Sequence, residues 1–342
     1  MPDTPVLRLA VLGAAHPHVT YALDELPHHA PAYTLVAVSD RDPALAAAHA
    51  GPHRARAYTD HRALLEAERP DVVMVAGVYA DRARTVVDAL DAGAHVLADK
   101  PLCTSLPELD AIEAAAARAG RTVSLLLEKR HYPETLAARR LLARGDLGDL
   151  VMVASSGPHR LKRAERPGWF LDRRTYGGII GDLAVHDIDL ILHLSGATAG
   201  TVAASSPAGA PFPLHGALLL NAGPLAATVE VSWLTPAAAP WHGDYRMRLT
   251  GTRGTAELLW ARQRLTVVTD SDAPYEAVLP PGRRPAQEAF TALAAGRSPE
   301  VDTAQSVAVT RIALTAQLSA DEGGTLHPWT TTAPHRSPAN GH

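Results

Sequence analysis

The sequence predicts an α/β protein in two parts: a parallel sheet covered by helices, then an α+β region with a large, mostly antiparallel open sheet. Three observations carry this. Up to about residue 128, short apolar or β-branched runs alternate with alanine-rich stretches of helical spacing. Beyond that point several strand-like runs follow one another with no long helix between them. The chain, at 342 residues, is long enough for two separate cores. The expected division is 1–128, 129–330 and a polar tail over 331–342 that has little to bury.

"LRLAVLG" (7–13) reads as a buried strand ending in glycine, and "HVTYALDEL" (18–26) has helical spacing. "YTLVAVSD" (33–40) is a second strand, and "DPALAAAHA" (42–50) a helix with Asp42 and Pro43 at its start. "DHRALLEAE" (60–68) gives a helix and "DVVMVAG" (71–77) a strand. "RARTVVDALDAG" (82–93) is a helix stopped at Gly93, followed by the strand "HVLAD" (95–99). A helix over 106–120 and the strand "TVSLLLE" (122–128) complete the first part. In the second part, helices are expected near 133–144, over 181–196 and over 303–323. Strands are expected at "LVMVASSG", "HGALLLNAG", "LAATVEVSWL", "YRMRLTGTRGTAELLW" and "RLTVVTD".

Composition narrows the function. A net charge of −4 offers no field for nucleic acid or anionic membranes. No apolar run approaches the roughly 20 residues that span a bilayer. The N-terminus lacks a basic start followed by an apolar stretch, and one cysteine, Cys103, excludes an internal disulfide. The expectation is a cytoplasmic protein. Seventeen histidines are present, but no HExxH or Cys/His cluster appears, so no metal site is expected.

"GAAHPH" (13–18) has the position of a dinucleotide-binding loop with two of three expected glycines replaced. Such a loop needs a tight turn, close backbone approach to pyrophosphate and a helix start facing the anion. Gly13 meets the first need; Ala15 and His18 occupy the other two glycine positions. Pro17 suits a first helical turn. His16 and His18 could donate to phosphate, or simply cap the helix or face solvent. Asp40, ending the second strand, could accept from the adenosine ribose hydroxyls or serve only as a turn residue. As a ribose acceptor its carboxylate favours NAD, while Arg41 keeps NADP open.

"HVLADKPLC" places Asp99 and Lys100 at the end of a parallel strand, the edge where open sheets bind ligands. "YGGIIGDLAVHDIDL" puts Asp182 and His186 four residues apart, on one face of a helix. Either they are a surface pair or, with Lys100, a set suited to alcohol oxidation.

Over roughly residues 7 to 327 the sequence resembles the Gfo/Idh/MocA oxidoreductases. "AGAHVLADKP" is similar to that family's "aGkhVlcEKP", with Asp99 in place of Glu. "GGIIGDLAVHDIDLILHLSG" resembles its "GGgxlxDlGxHxiDlxxxlxG", and "EKRHYP" its "nrRfhP". Two departures stand out: the loop glycines, and "GVYADR" where the family reads "TPnxxH", so Val78 replaces proline and Arg82 histidine.

The resemblance implies an N-terminal Rossmann-type domain and an NAD(P)-dependent dehydrogenase or ketoreductase. Its substrate would be a sugar, cyclitol or related polyol. Cofactor contacts would come from Gly13, Ala15, His16, His18, Asp40, Arg41, Gly77, Asp99 and Lys100. Lys100 would hydrogen-bond the reacting oxygen, His186 would act as general base and Asp182 would position substrate and stabilise the imidazolium. Lys100 and His186 are expected to converge on one hydroxyl. Arg130, Trp169, Asp172 and Tyr176 are candidate substrate contacts, with Arg173 and Lys162 beside them; Trp169 could instead anchor its loop. A homodimer or homotetramer through the C-terminal sheet is implied. Two other functions stay open: an NAD-cycling glycosidase or eliminase of the same family, and a non-catalytic binding protein with a degraded loop.

Overall fold

A computed structural model describes residues 6–207 and 209–331; all but the first residue of the expected tail over 331–342 lies outside them. The chain forms two compact units. The first takes residues up to Leu127 together with Arg174–Tyr176 and Arg284–Val307. The second takes Glu128–Arg173, Gly177–Arg283 and the chain from Ala308 onward.

The first unit contains β1 (Leu7–Leu12), α1 (Thr20–Leu23), β2 (Tyr33–Ser39), α2 (Pro43–Ala50) and β3 (Arg56–Tyr58). It continues with α3 (His61–Glu68), β4 (Val72–Val75), α4 (Tyr79–Asp91), β5 (His95–Ala98), α5 (Leu106–Ala119) and β6 (Val123–Leu125). All six strands pair in parallel, in the order β3-β2-β1-β4-β5-β6. β4 is buried along its whole length, as a strand covered on both faces must be. The helices begin and end where side chains permit: Asp42 caps α2 through the amides of Ala44 and Leu45, Asp60 caps α3, and Gly120 takes the left-handed turn that ends α5.

Three features differ from the sequence expectation. The helix expected over 18–26 is one α-turn flanked by 3-10 turns at Pro17–Val19 and Leu26–His28. Pro27 lacks the N–H that would bond the Leu23 carbonyl, so a continuous helix cannot form. β3 is three residues long and largely exposed, too short to leave a periodic pattern. A helix at Gln287–Ala294 belongs to the first unit, although the expected boundary gave everything after 128 to the second. Its Phe290 is fully buried, its carbonyl accepts from the Tyr33 hydroxyl at 2.8 Å, and the two rings lie 4.6 Å apart.

The second unit is built on nine strands: β7 (Leu150–Pro158), β8 (Ala199–Ser205), β9 (His215–Ala222), β10 (Leu225–Ser232), β11 (Arg246–Gly251), β12 (Gly254–Leu259), β13 (Arg264–Thr269), β14 (Tyr275–Glu276) and β15 (His327–Thr330). Their order is β14-β13-β12-β11-β7-β10-β9-β8-β15, antiparallel except for the β7–β10 pair. Burial alternates: Leu218 and Leu220 point to the core while Leu219 between them is 43% exposed. Helices α6 (Pro133–Ala143) and α8 (Val185–Ser195) complete this unit, with the part of the long helix Thr303–Asp321 from Ala308 onward; residues Arg174–Tyr176 of the short α7 (Arg173–Tyr176) belong to the first unit.

α8 is fixed by buried ion pairs. Lys129 reaches Asp187 at 3.0 Å, and the Ser155 hydroxyl donates to the same carboxylate at 2.6 Å. Arg130 makes a two-pronged bond to Asp189 at 2.8 and 2.5 Å. Neighbouring cations thus take carboxylates two residues apart, which a helix directs to different sides. Removing one partner strands the other charge. Lys129→Met is expected to destabilise the second unit by about 3–5 kcal/mol, and a Lys129→Met/Asp187→Leu double variant to recover much of that. Denaturant unfolding checks it; a single variant as stable as the parent would contradict the assignment.

Candidate active site

In the first unit the strand order reverses between β1 and β4, where open parallel sheets bind ligands beyond the carboxyl ends of their strands. Gly13, Asp40, Gly77, Asp99 and Lys100 all follow strands at that edge. Gly13 has φ +78, and a Cβ there would lie 2.7 Å from the Gly77 Cα. Only glycine fits, on both counts. The loop is tied to its neighbours: the Gly13 amide donates to the Ser39 carbonyl at 2.8 Å and the His16 amide to the Ala76 carbonyl at 2.8 Å. Neither Ala15 nor His18 has positive φ. The loop therefore needs glycine at 13 but not at 15 or 18.

Of the two roles the sequence left open for Asp40, its contacts are those of a turn residue. Its Oδ2 accepts the Ala14 amide at 2.7 Å and its Oδ1 the Asp42 amide at 2.9 Å, so it shapes the turn and braces the loop. Arg41 is exposed and pairs with Asp81 at 3.1 Å. These residues line a cleft of about 400 Å³ with Gly13, Gly77, Val78 and Asp81. Glycines closing the base and a carboxylate on the flank fit the outline of a dinucleotide.

Asp99 is completely buried and is the focus of the loop. His18 Nδ1 lies 2.7 Å from its Oδ1; His16 Nδ1 and Arg82 Nη2 lie 3.0 and 2.8 Å from its Oδ2. Burial by itself would raise this carboxyl, but His18, His16 and Arg82 hold it well below the ordinary range. Burial pulls the His16 imidazole down from 6.5 to about 4, against the opposing pull of Asp99. His18 stacks on Tyr21 with ring centroids 4.3 Å apart. Nitrogens of His16 and His18 and an Asp99 oxygen lie within 4.8 Å of one another, a spacing that could hold an ion. The guanidinium of Arg82 already occupies the charge position beside that carboxylate, which suits a buried anion with a fixed counter-ion rather than a metal ligand. Lys100, the next residue, is 5% exposed.

The second unit holds the other candidates. Asp182 lies in a π-helical turn, Ile180–Ala184, and His186 in the first turn of α8. Both are buried, which removes the surface-pair alternative. The two are not on one regular α-helix as expected, because the wide turn intervenes; such turns recur at functional sites. His186 Nε2 lies 3.5 Å from Glu128 Oε1. Gly178, in the motif's glycine pair, has φ +127, and a Cβ there would strike the Gln317 side chain, whose Oε1 accepts the Ile180 amide at 3.1 Å.

The remaining candidates are placed less openly. Arg130 is buried on Asp189, and Tyr176 is fully buried in the first unit, 5.9 Å from the Tyr79 ring. Both positions are core packing rather than an open face. Trp169 is half-buried, edge-on to Phe170 at 5.5 Å, and Phe170 packs on Trp233; Asp172 is half-buried beside them. Arg173 pairs with Asp321 at 2.7 Å and Lys162 with Glu165 at 3.3 Å. Sequence reasoning did not single out Glu128, Lys129, Asp187 or Asp189. The signal was present as "EKR" and "HDID", two charge clusters in otherwise apolar surroundings.

Two outcomes follow from this geometry. Gly13→Ala is expected to weaken NADH binding at least about tenfold, since the methyl enters Gly77 and strains the turn; calorimetric titration of the folded variant with unchanged affinity would contradict it. His16 has a depressed folded pKa, so its contribution is present above about 6.5 and is lost as pH falls toward 4. His16→Gln should flatten the fall in stability over that window, by up to about 3 kcal/mol. Superimposable melting curves for the two proteins would refute it.

Comparison with known proteins agrees with this architecture. Residues 7–126 match the oxidoreductase family NAD-binding Rossmann fold model, and residues 135–257 match the GFO/IDH/MocA C-terminal domain. D-xylose 1-dehydrogenase (NADP(+)) 2 of Haloferax volcanii is 29% identical over 304 residues, 85% of this chain and 90% of that one. D-glucoside 3-dehydrogenase of Escherichia coli is 28% identical over 200 residues, 56% of this chain and only 54% of the relative. An oxidoreductase structure from Thermotoga maritima superposes with a TM-score of 0.86 at 23% identity, covering 94% of this chain and all of that one. Among the described residues no helix is long and apolar enough to cross a membrane. The chain belongs to the Gfo/Idh/MocA family of oxidoreductases, with an NAD-binding Rossmann domain joined to the family's C-terminal sheet domain.

Proposed function

We propose that this protein is an NAD-dependent dehydrogenase, or in reverse a ketoreductase, acting on a secondary hydroxyl of a sugar, cyclitol or related polyol. The observation that carries this is Lys100: an amine buried beside Asp99 at the carboxyl edge of the dinucleotide sheet. Two relatives named for D-xylose and D-glucoside oxidation support the substrate class. The carboxylate of Asp40 disfavours a 2′-phosphate, so NAD is the preferred cofactor, with Arg41 leaving NADP a possible second.

The cofactor, when bound in the Gly13–Gly77 cleft, supplies the hydride acceptor. The chain's residues do the rest. His16, His18 and Ala15 line the approach to the phosphates, with Asp40 and Arg41 at the adenosine end. Lys100 donates to the substrate oxygen and polarises it. His186 takes the hydroxyl proton at Nε2 as hydride leaves the adjacent carbon, and in reduction returns it. Asp182 orients the sugar and stabilises the imidazolium; Trp169 and Asp172 bind ring face and hydroxyls. Lys100, Asp182 and His186 are each buried, which keeps from them water that would compete for the proton. The exposed face of the second unit's sheet, with Met152 and Leu219 open to solvent, suits a homodimer or homotetramer.

Lys100→Met tests this. Turnover of the best polyol in a panel of pentoses, hexoses and inositols should fall by at least about a hundredfold, with NADH affinity little changed. Full activity in that variant would end the proposal.

A further inference from the structure

Arg82 is the largest side chain buried without any exposed guanidinium surface in the first unit, and its bonds are unusually directed. Nε donates to the Gly77 carbonyl at 3.0 Å. Nη1 donates to the carbonyls of Asp99 at 2.9 Å and Pro101 at 2.8 Å, the residues on either side of Lys100. Nη2 donates to the Asp99 carboxylate at 2.8 Å. The Tyr79 ring supports the guanidinium, with its centroid 4.4 Å from Cζ. Charge balance for Asp99 needs only one of these contacts. The other three grip main chain, at the glycine that closes the cradle and at both neighbours of the lysine.

Resting on the assignment of Lys100 to the reacting hydroxyl, we propose that Arg82 is a positioning residue that fixes the Lys100 segment relative to the cofactor cradle. One rigid, planar group spans from Gly77 to the 99–101 backbone, so displacement at either end is transmitted to the other. Lysine at 82 would keep a positive charge for Asp99 but cannot serve four acceptors in a fixed plane. Arg82→Lys thereby separates charge balance from positioning.

The test uses the full chain with NADH as probe and amide hydrogen exchange as readout. In the parent protein NADH should protect both the 13–18 loop and the 99–103 segment. In Arg82→Lys the loop should keep its protection, NADH affinity should stay within about threefold, and protection of 99–103 should be lost. On the fastest polyol substrate, kcat should fall about a hundredfold with little change in the cofactor KM. Equal protection of 99–103 in both proteins would overturn the proposal. So would a parallel loss at both segments, or unfolding of both Arg82→Lys and a second variant, Arg82→Gln, since those results mark a purely structural role. Absence of NADH protection at 99–103 in the parent would overturn the placement of Lys100 by the cofactor itself, and the positioning role with it. Active Arg82→Lys beside inactive Lys100→Met would remove the positioning role alone.

Discussion

A single buried carboxylate organises the cofactor edge of this protein. Asp99 is fully enclosed, an arrangement that costs several kcal/mol unless the charge is matched. Arg82 from α4 matches it, and the imidazoles of His16 and His18 from the loop after β1 add donors at 3.0 and 2.7 Å. Three segments distant in sequence are thereby held at one point, one residue from Lys100. The altered loop, the substituted "GVYADR" segment and the aspartate in "ADKP" are parts of one electrostatic arrangement.

This explains how a loop lacking two family glycines can keep its shape. The backbone demands positive φ at Gly13 alone, and close approach occurs between Gly13 and Gly77. At 15 and 18 the conformation is ordinary, so side chains are tolerated, and the histidines take up the polar role of bonding Asp99. The helix after the loop is short, so little support for an anion comes from its dipole.

Much of the fold was legible because periodicity records burial. Within the runs at 7–13, 71–77 and 95–99, residues 9–12, 72–76 and 96–98 are apolar and buried, as doubly covered strands require, and these are central strands of the sheet. The failures also have physical causes. Residues 18–26 have helical spacing, but Pro27 removes the hydrogen bond that would extend the helix. The Gln287–Ala294 helix packs beside Tyr33, a contact across more than 250 residues that local pattern cannot reveal. Of the residues proposed to act on substrate, Lys100, Asp182 and His186 stood out in the sequence as motif residues. The partnerships of Arg82 with Asp99 and of Lys129 and Arg130 with Asp187 and Asp189 were not, because ion pairs between distant segments leave no spacing rule. Arg130 and Tyr176 drew attention as polar groups near a motif, whereas their partners place them in packing.

The central claim is that this cradle serves net hydride transfer from a carbon bearing a hydroxyl. The most direct measurement uses polyols deuterated at the oxidised carbon, incubated with the protein and NAD⁺, with label followed into both products. The account predicts one deuterium on the nicotinamide for each ketone formed, with accumulation of reduced cofactor in equal amount. Sustained conversion of a glycoside with no accumulation of reduced cofactor, and with label returned to the sugar, would contradict it.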